Sequence, residues 1–67
     1  MRLKNDVEIP DRWRVLDASG FIGAIHCVGP DEWRNYHVAK GKPLSPVPRG
    51  PFLSLEAAFE AFTTALA

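Results

Sequence analysis

Four of the six prolines in this 67-residue chain fall in one stretch, KGKPLSPVPRGP, at residues 40–51. Each proline fixes its own φ, removes a backbone donor and disfavours helix at the residue before it. Neither a helix nor a central strand fits there, so regular structure is confined to either side. The stretch reads as an extended, polyproline-like loop joining a strand-rich part to a helical part.

The helical part has a clear signature. Ser54 is a good N-cap, and Glu56 suits the positive first turn. Leu55, Ala58, Phe59, Phe62, Ala65 and Leu66 recur at helical spacing as one apolar stripe, with Glu56, Glu60, Thr63 and Thr64 outside. Before the loop, residues 13–16, 21–28 and 32–39 read as strands. The first two are joined by the turn DASG, and Gly29-Pro30-Asp31 makes the next break. Residues 1–10 form an N-terminal arm or an edge strand, with Val7 and Ile9 alternating around Glu8. The expected fold is α+β: a three-stranded antiparallel sheet, with a possible extra N-terminal edge strand, packed by one C-terminal α-helix. Residues 11–67 form a single βββα domain.

A chain this short has no room for a second domain and buries only about 60% of its unfolded surface. Its hydrophobic (46%) and charged (24%) fractions are those of an ordinary globular domain. One cysteine cannot close an internal disulfide, which excludes a stapled secreted scaffold. MRLKNDVEIPDR lacks the apolar core of a signal peptide, and no apolar run approaches the roughly 20 residues that span a bilayer. The expected location is cytoplasmic, with no membrane contact. Eight basic and eight acidic residues cancel, which argues against an overall nucleic-acid footprint. Their distribution is uneven, however. Arg34, Lys40, Lys42 and Arg49 lie in a segment without acids, and the chain closes on Glu56 and Glu60 without a base.

The hairpin decides what the sheet presents. Residues directly opposite in an antiparallel pair share a side, and sides alternate along each strand. A turn at Ser19-Gly20 sets Val15 against Ala24, and a four-residue turn at residues 17–20 sets it against Ile22. Both give the same two sides. One holds Trp13, Val15, Ile22, Ala24, His26 and Val28; the other holds Arg12, Arg14, Leu16, Phe21, Gly23, Ile25 and Cys27. The arginine-free side is the better floor for the helix, joined by Tyr36 and Val38 from the third strand. The expected core is therefore Trp13, Val15, Ile22, Ala24, Val28, Tyr36, Val38, Leu55, Phe59, Phe62 and Leu66. The uncovered side then carries Arg12, Arg14, Phe21, Ile25, Trp33, Asn35 and His37, a poor solvent face and a reasonable partner-binding one. Lys40, Lys42 and Arg49 form a secondary basic loop beside it.

Catalytic and metal chemistry find little support. Cys27 and His37 share a side, but no oriented acid or oxyanion donor accompanies them, and a lone cysteine in an apolar strand is usually a small core residue. His26 and Cys27 are adjacent and point apart, so with His37 they make poor zinc ligands. KGKPLSP fits a basic-x-x-Pro-x-x-Pro docking peptide, though a rigid connector explains the same prolines. No catalytic, metal or cofactor-binding residue is expected, and no small-molecule substrate.

RWRV, FIGAIHCV and GPFLSLEAAFEAF, spanning residues 12–66, resemble the integrase-type DNA-binding fold and the plant transcription-factor domains built in the same βββα order. The last segment is similar to that group's glycine-aromatic-threonine start of an alanine-rich helix. The chain differs in its long proline loop and neutral charge. The resemblance implies a DNA-binding domain that uses its three-stranded sheet, through Arg12, Arg14 and Trp33 with Lys40 and Lys42 nearby. From the residues alone, the first expectation is a small non-enzymatic module for protein–protein interaction, or a homodimer joined through the open sheet face. DNA binding is the alternative.

Overall fold

The computed structural model describes residues 1–38 and 44–66. Its elements run β1 (Arg2–Asn5), β2 (Arg12–Asp17), β3 (Gly20–Gly29), β4 (Glu32–His37) and α1 (Leu55–Leu66). The strands form one antiparallel meander in the order β1-β2-β3-β4, with α1 against β3 and β4. The architecture is α+β, with four strands rather than three. The edge strand is Arg2–Asn5; Val7 and Ile9 lie in the connection to β2 and are exposed.

The β2–β3 hairpin turns through Ala18 and Ser19, with Asp17 opposite Gly20 and Leu16 opposite Phe21. Asp17 Oδ1 accepts from the Ser19 N–H (2.8 Å) and the Ser19 hydroxyl (2.6 Å), and Gly20 takes φ 114°. This side-chain-capped turn leaves glycine where a side chain would be strained. The register then slips. Val15 stands opposite Gly23, not Ile22, so Ile22 is the extra residue of a β-bulge. Beyond it Arg14 faces Ala24, Trp13 faces Ile25 and Arg12 faces His26.

That single residue inverts the expected faces of β3. Ile25 is fully buried beneath the helix, whereas Val28 is 48% exposed on the other side. The third strand follows suit. Ile25 pairs with Asn35 and Cys27 with Trp33, which puts Trp33, Asn35 and His37 on the helix side. Tyr36 and Val38, expected in the core, are about half exposed. Ala24 is buried too, but its partners Arg14 and Tyr36 put it on the face away from the helix.

The core consists of Val15, Ile25, Val47, Ala58 and Phe62, flanked by Leu3, Ile22, Trp33, Phe52, Leu55, Phe59, Ala65 and Leu66. Ile22 therefore reaches the core as expected, by way of the bulge. Trp13 lies on the helix side but is only half-buried. The Ser54 cap forms as read, its Oγ accepting from the Ala57 N–H at 3.1 Å. Phe62 is the largest fully buried side chain, and burying such a ring contributes roughly 1.5–3 kcal/mol.

The proline segment is more than a connector. Phe52 and Trp33 exchange backbone hydrogen bonds (2.8 and 2.9 Å), and the Asn35 N–H donates to the Arg49 carbonyl (3.0 Å). Residues 49–52 thus cover the outer edge of β4, where a proline can accept but not donate. Val47 fills the core between them and the helix. Asn35 is 1% exposed, and its Nδ2 donates to the carbonyls of Pro48 (3.1 Å) and Ala58 (2.9 Å), tying loop, strand and helix together. The remaining sheet edge, β1, carries Arg2 and Lys4, the charges that discourage edge-to-edge pairing.

Gly23 is where sheet and helix approach most closely. A Cβ there would lie 2.9 Å from Phe62 Cζ and would also clash with the Tyr36 carbonyl. Gly23→Ala should lower stability by about 1–3 kcal/mol, the usual cost of overpacking a core, read as a drop in the urea midpoint. An unchanged midpoint would mean that the helix does not seat on β3 as described.

Candidate functional site

The face away from the helix carries three cross-strand rows. Arg2, Leu16 and Phe21 form one, Lys4, Arg14, Ala24 and Tyr36 the next, and Arg12, His26 and Arg34 the third. Five cations lie among them, against the carboxylates of Asp6 and Glu32. The acids of the helix, Glu56 and Glu60, are on the other side of the molecule. The sheet face is thus basic opposite an acidic helix, and of the bases in the acid-free segment it carries Arg34.

Arg12, Arg14, Phe21, Ala24, His26 and Tyr36 line a shallow concavity of about 640 Å³. Ala24 is its floor. Phe21 (54% exposed) and Tyr36 (46% exposed) stand at its rim with their rings accessible. The His26 ring meets Tyr36 edge-on, with centroids 5.1 Å apart and planes at 66°, an arrangement that complements the ring quadrupoles. Burial, then the nearby Arg12 guanidinium, hold the His26 pKa below its ordinary value, partly opposed by Asp6.

Asp6 organises the basic edge. Its side chain is 2% exposed and accepts from Arg12 through both Nε (2.7 Å) and an Nη, with Arg14 Nε at 3.5 Å. The Glu8 N–H donates to its other oxygen at 3.0 Å. The Asp6 N–H donates to the Arg12 carbonyl and the Arg12 N–H to the Ile9 carbonyl, so the connection folds back to present the carboxylate. Arg12 is fixed by this clamp; Arg14 is half exposed. Arg34 lies 3.7 Å from Glu32 at the surface, a contact worth little in water.

Of the seven residues expected on the open face, Arg12, Arg14 and Phe21 lie there. Ile25 and Asn35 are buried under the helix, and Trp33 packs against the core. His37 is also on the helix side, edge-on to Phe62 at 6.0 Å, with Nδ1 2.7 Å from Ser45 Oγ. These four leave the face because the bulge shifts the parity of β3, and β4 pairs to the shifted strand. Arg49 is exposed at the β4 edge; Lys40 and Lys42 lie outside the described residues. Arg2, Lys4, Ala24, His26, Arg34 and Tyr36 join the face unanticipated. One signal pointed to two of them: grouping the arginines of β2 and β4 on the solvent side puts Arg34 and Tyr36 outward and Trp33 inward.

Cys27 and His37 share the helix side but are not brought together. Cys27 stands opposite Trp33 and His37 opposite Gly23, so four residues of β3, about 13 Å, separate them. Cys27 Sγ instead lies 3.3 Å from the Gly29 carbonyl. Among the described residues, no three His, Cys, Asp or Glu side chains group as a metal would need, and no helix is long and apolar enough to cross a membrane.

The clamp has a pH signature. Arg12 first, then the Glu8 N–H, lower the Asp6 pKa from 3.8 to about 2. A depressed carboxylate stabilises the fold fully above its unfolded pKa, and the contribution is lost as pH falls through the folded one. Asp6→Asn should therefore unfold at lower urea than the parent at pH 7, and the gap should close as pH approaches about 2. A gap that persists at that pH would assign the loss to packing rather than to the ion pair. Comparison with protein-family models, with curated proteins and with solved structures finds no match to this chain.

Proposed function

We propose that this chain is a small non-enzymatic binding module that engages nucleic acid through the open face of its sheet. The observation that carries this reading is the placement of Arg2, Lys4, Arg12, Arg14 and Arg34 on one face with the exposed rings of Phe21 and Tyr36. Guanidinium and ammonium groups supply phosphate contacts, and exposed aromatics supply stacking surface. The acidic helix, on the far side, would be repelled by a polyanion and so leaves one orientation for docking.

A protein partner or a second copy was the first expectation, and it drew on Ile25 and Trp33. Both pack on the helix side. The face that is left is ringed by five cations, a pattern that favours a polyanion over a typical protein partner. The single cysteine suits a reducing compartment, and a cytoplasmic location accords with that.

Binding through phosphate contacts makes affinity fall linearly on a log–log plot against salt. A labelled DNA oligonucleotide should bind at low salt and be released as salt rises. Lys4→Ala should flatten that slope by about one unit, while Glu60→Gln on the helix leaves it unchanged. Absence of binding at low salt, or affinity indifferent to salt, would refute a nucleic-acid surface.

A further inference from the structure

Resting on that reading of the face, we infer that its occupant is a single strand of nucleic acid, one of whose unpaired bases sits in the concavity over Ala24. The shape of the face is the reason. In the cross-strand row Lys4, Arg14, Ala24, Tyr36, the residue on β3, one of the two inner strands, is the shortest. Along β3 its neighbours on the same face are His26 on one side and, across the bulge, Phe21 on the other. Ala24 is therefore the lowest point of the face, and rings and guanidinium groups form the rim.

Reading the base edges of a duplex takes side chains that reach into a major groove about 8.5 Å deep; Ala24 at the low point does not reach, and Arg12 beside it is held by Asp6. A duplex also has no unpaired base to place in a dish. A single strand has one at every step, and the shallow concavity of about 640 Å³ has room for one.

The rim suits such a base. Tyr36 and Phe21 are half exposed, and the T-shaped contact between His26 and Tyr36 steadies one of them. Arg14 stands across Ala24 from Tyr36 with half its side chain exposed, placed to stack on a base or meet a phosphate. Arg12 is held in place by Asp6, so less side-chain freedom is lost on binding. Lys4 and Arg34, on the strands either side, lie where the backbone of a strand crossing the sheet would pass. Nothing at the floor reads a base edge, so the site is tolerant of sequence.

The test compares two probes by fluorescence anisotropy at low salt: a single-stranded DNA oligonucleotide of about ten nucleotides without self-complementarity, and the same oligonucleotide joined to its complement by a short non-nucleotide linker as a hairpin duplex. The single strand should bind at least about tenfold more tightly. Phe21→Ala and Tyr36→Ala each remove a half-exposed ring, and each should weaken single-strand binding by about tenfold while leaving the hairpin within about twofold. Ala24→Leu fills the concavity without changing charge and should act the same way, with circular dichroism confirming that each variant is folded. A hairpin that binds as well as the single strand, with Ala24→Leu silent, overturns the single-strand inference and leaves the nucleic-acid reading in place. If neither probe binds, both fall. If polyglutamate displaces the single strand as effectively as unlabelled oligonucleotide, the face answers to negative charge alone, and the base site is refuted.

Discussion

One extra residue in β3 decides what this protein shows to solvent. Strand side chains alternate with period two, so a single insertion transfers everything beyond it to the opposite face. With Ile22 bulged, Val15 lies against Gly23 and Trp13 against Ile25. The helix side then collects Leu3, Trp13, Val15, Ile25 and Trp33, and the other side the arginines. Without the bulge, β2 would offer the helix the same apolar residues, but β3 would offer His26 and Val28 in place of Ile25 and Cys27. The insertion reconciles two strands whose apolar positions are otherwise out of step. Gly23 makes it workable, because the bulged strand can take the Phe62 ring against its backbone only where there is no Cβ.

A second constraint comes from the edge of the sheet. A domain of this size has little apolar area to bury, and an uncovered β4 would expose a row of unpaired donors and acceptors. The proline segment answers both needs. It supplies carbonyls to the N–H groups of Trp33 and Asn35, and it contributes Val47 to the core. Asn35 makes this arrangement specific. A buried amide whose Nδ2 reaches two carbonyls, one in the loop and one in the helix, fixes the distance between them as an apolar side chain would not. Gly50, at φ 97°, completes the path: a side chain there would press on Phe52 and on the Trp33 carbonyl.

The parts of this fold legible in the sequence are those set by local chemistry. The Ser54 cap, the helical stripe ending at Leu66, the Asp17–Gly20 turn region and the strand-to-strand order all follow from residues close in the chain. The faces did not, because they depend on register, and register depends on a bulge that no nearby residue announces. Gly23 is its only local mark, and a glycine inside a strand is equally consistent with close packing. Asn35 and Val47 were missed for a related reason. From the sequence Asn35 reads as part of the open partner-binding face and Val47 as part of a connector, yet each is buried by contacts far away in sequence. For the site, Arg12, Arg14 and Phe21 were legible because they precede the slip or lie at the turn. His26, Arg34 and Tyr36 come after it.

The same slip joins the core to the candidate site. Moving Ile25 inward brings Ala24 outward, and the smallest residue of the apolar run then occupies the centre of the exposed face. Phe21, before the bulge, stays on that face, so an aromatic ring stands on each side of the gap that Ala24 leaves. The basic rim costs the fold something, since five like charges on a small sheet repel one another and the open state of the chain relieves them. Asp6 offsets part of this by holding Arg12 and drawing in Arg14. Because the carboxylate sits at the edge of the sheet rather than on its floor, it steadies the arginines without filling the concavity between the rings. Stability and an exposed, basic, aromatic-rimmed face are compatible here because the neutralising charge comes from the connection between β1 and β2.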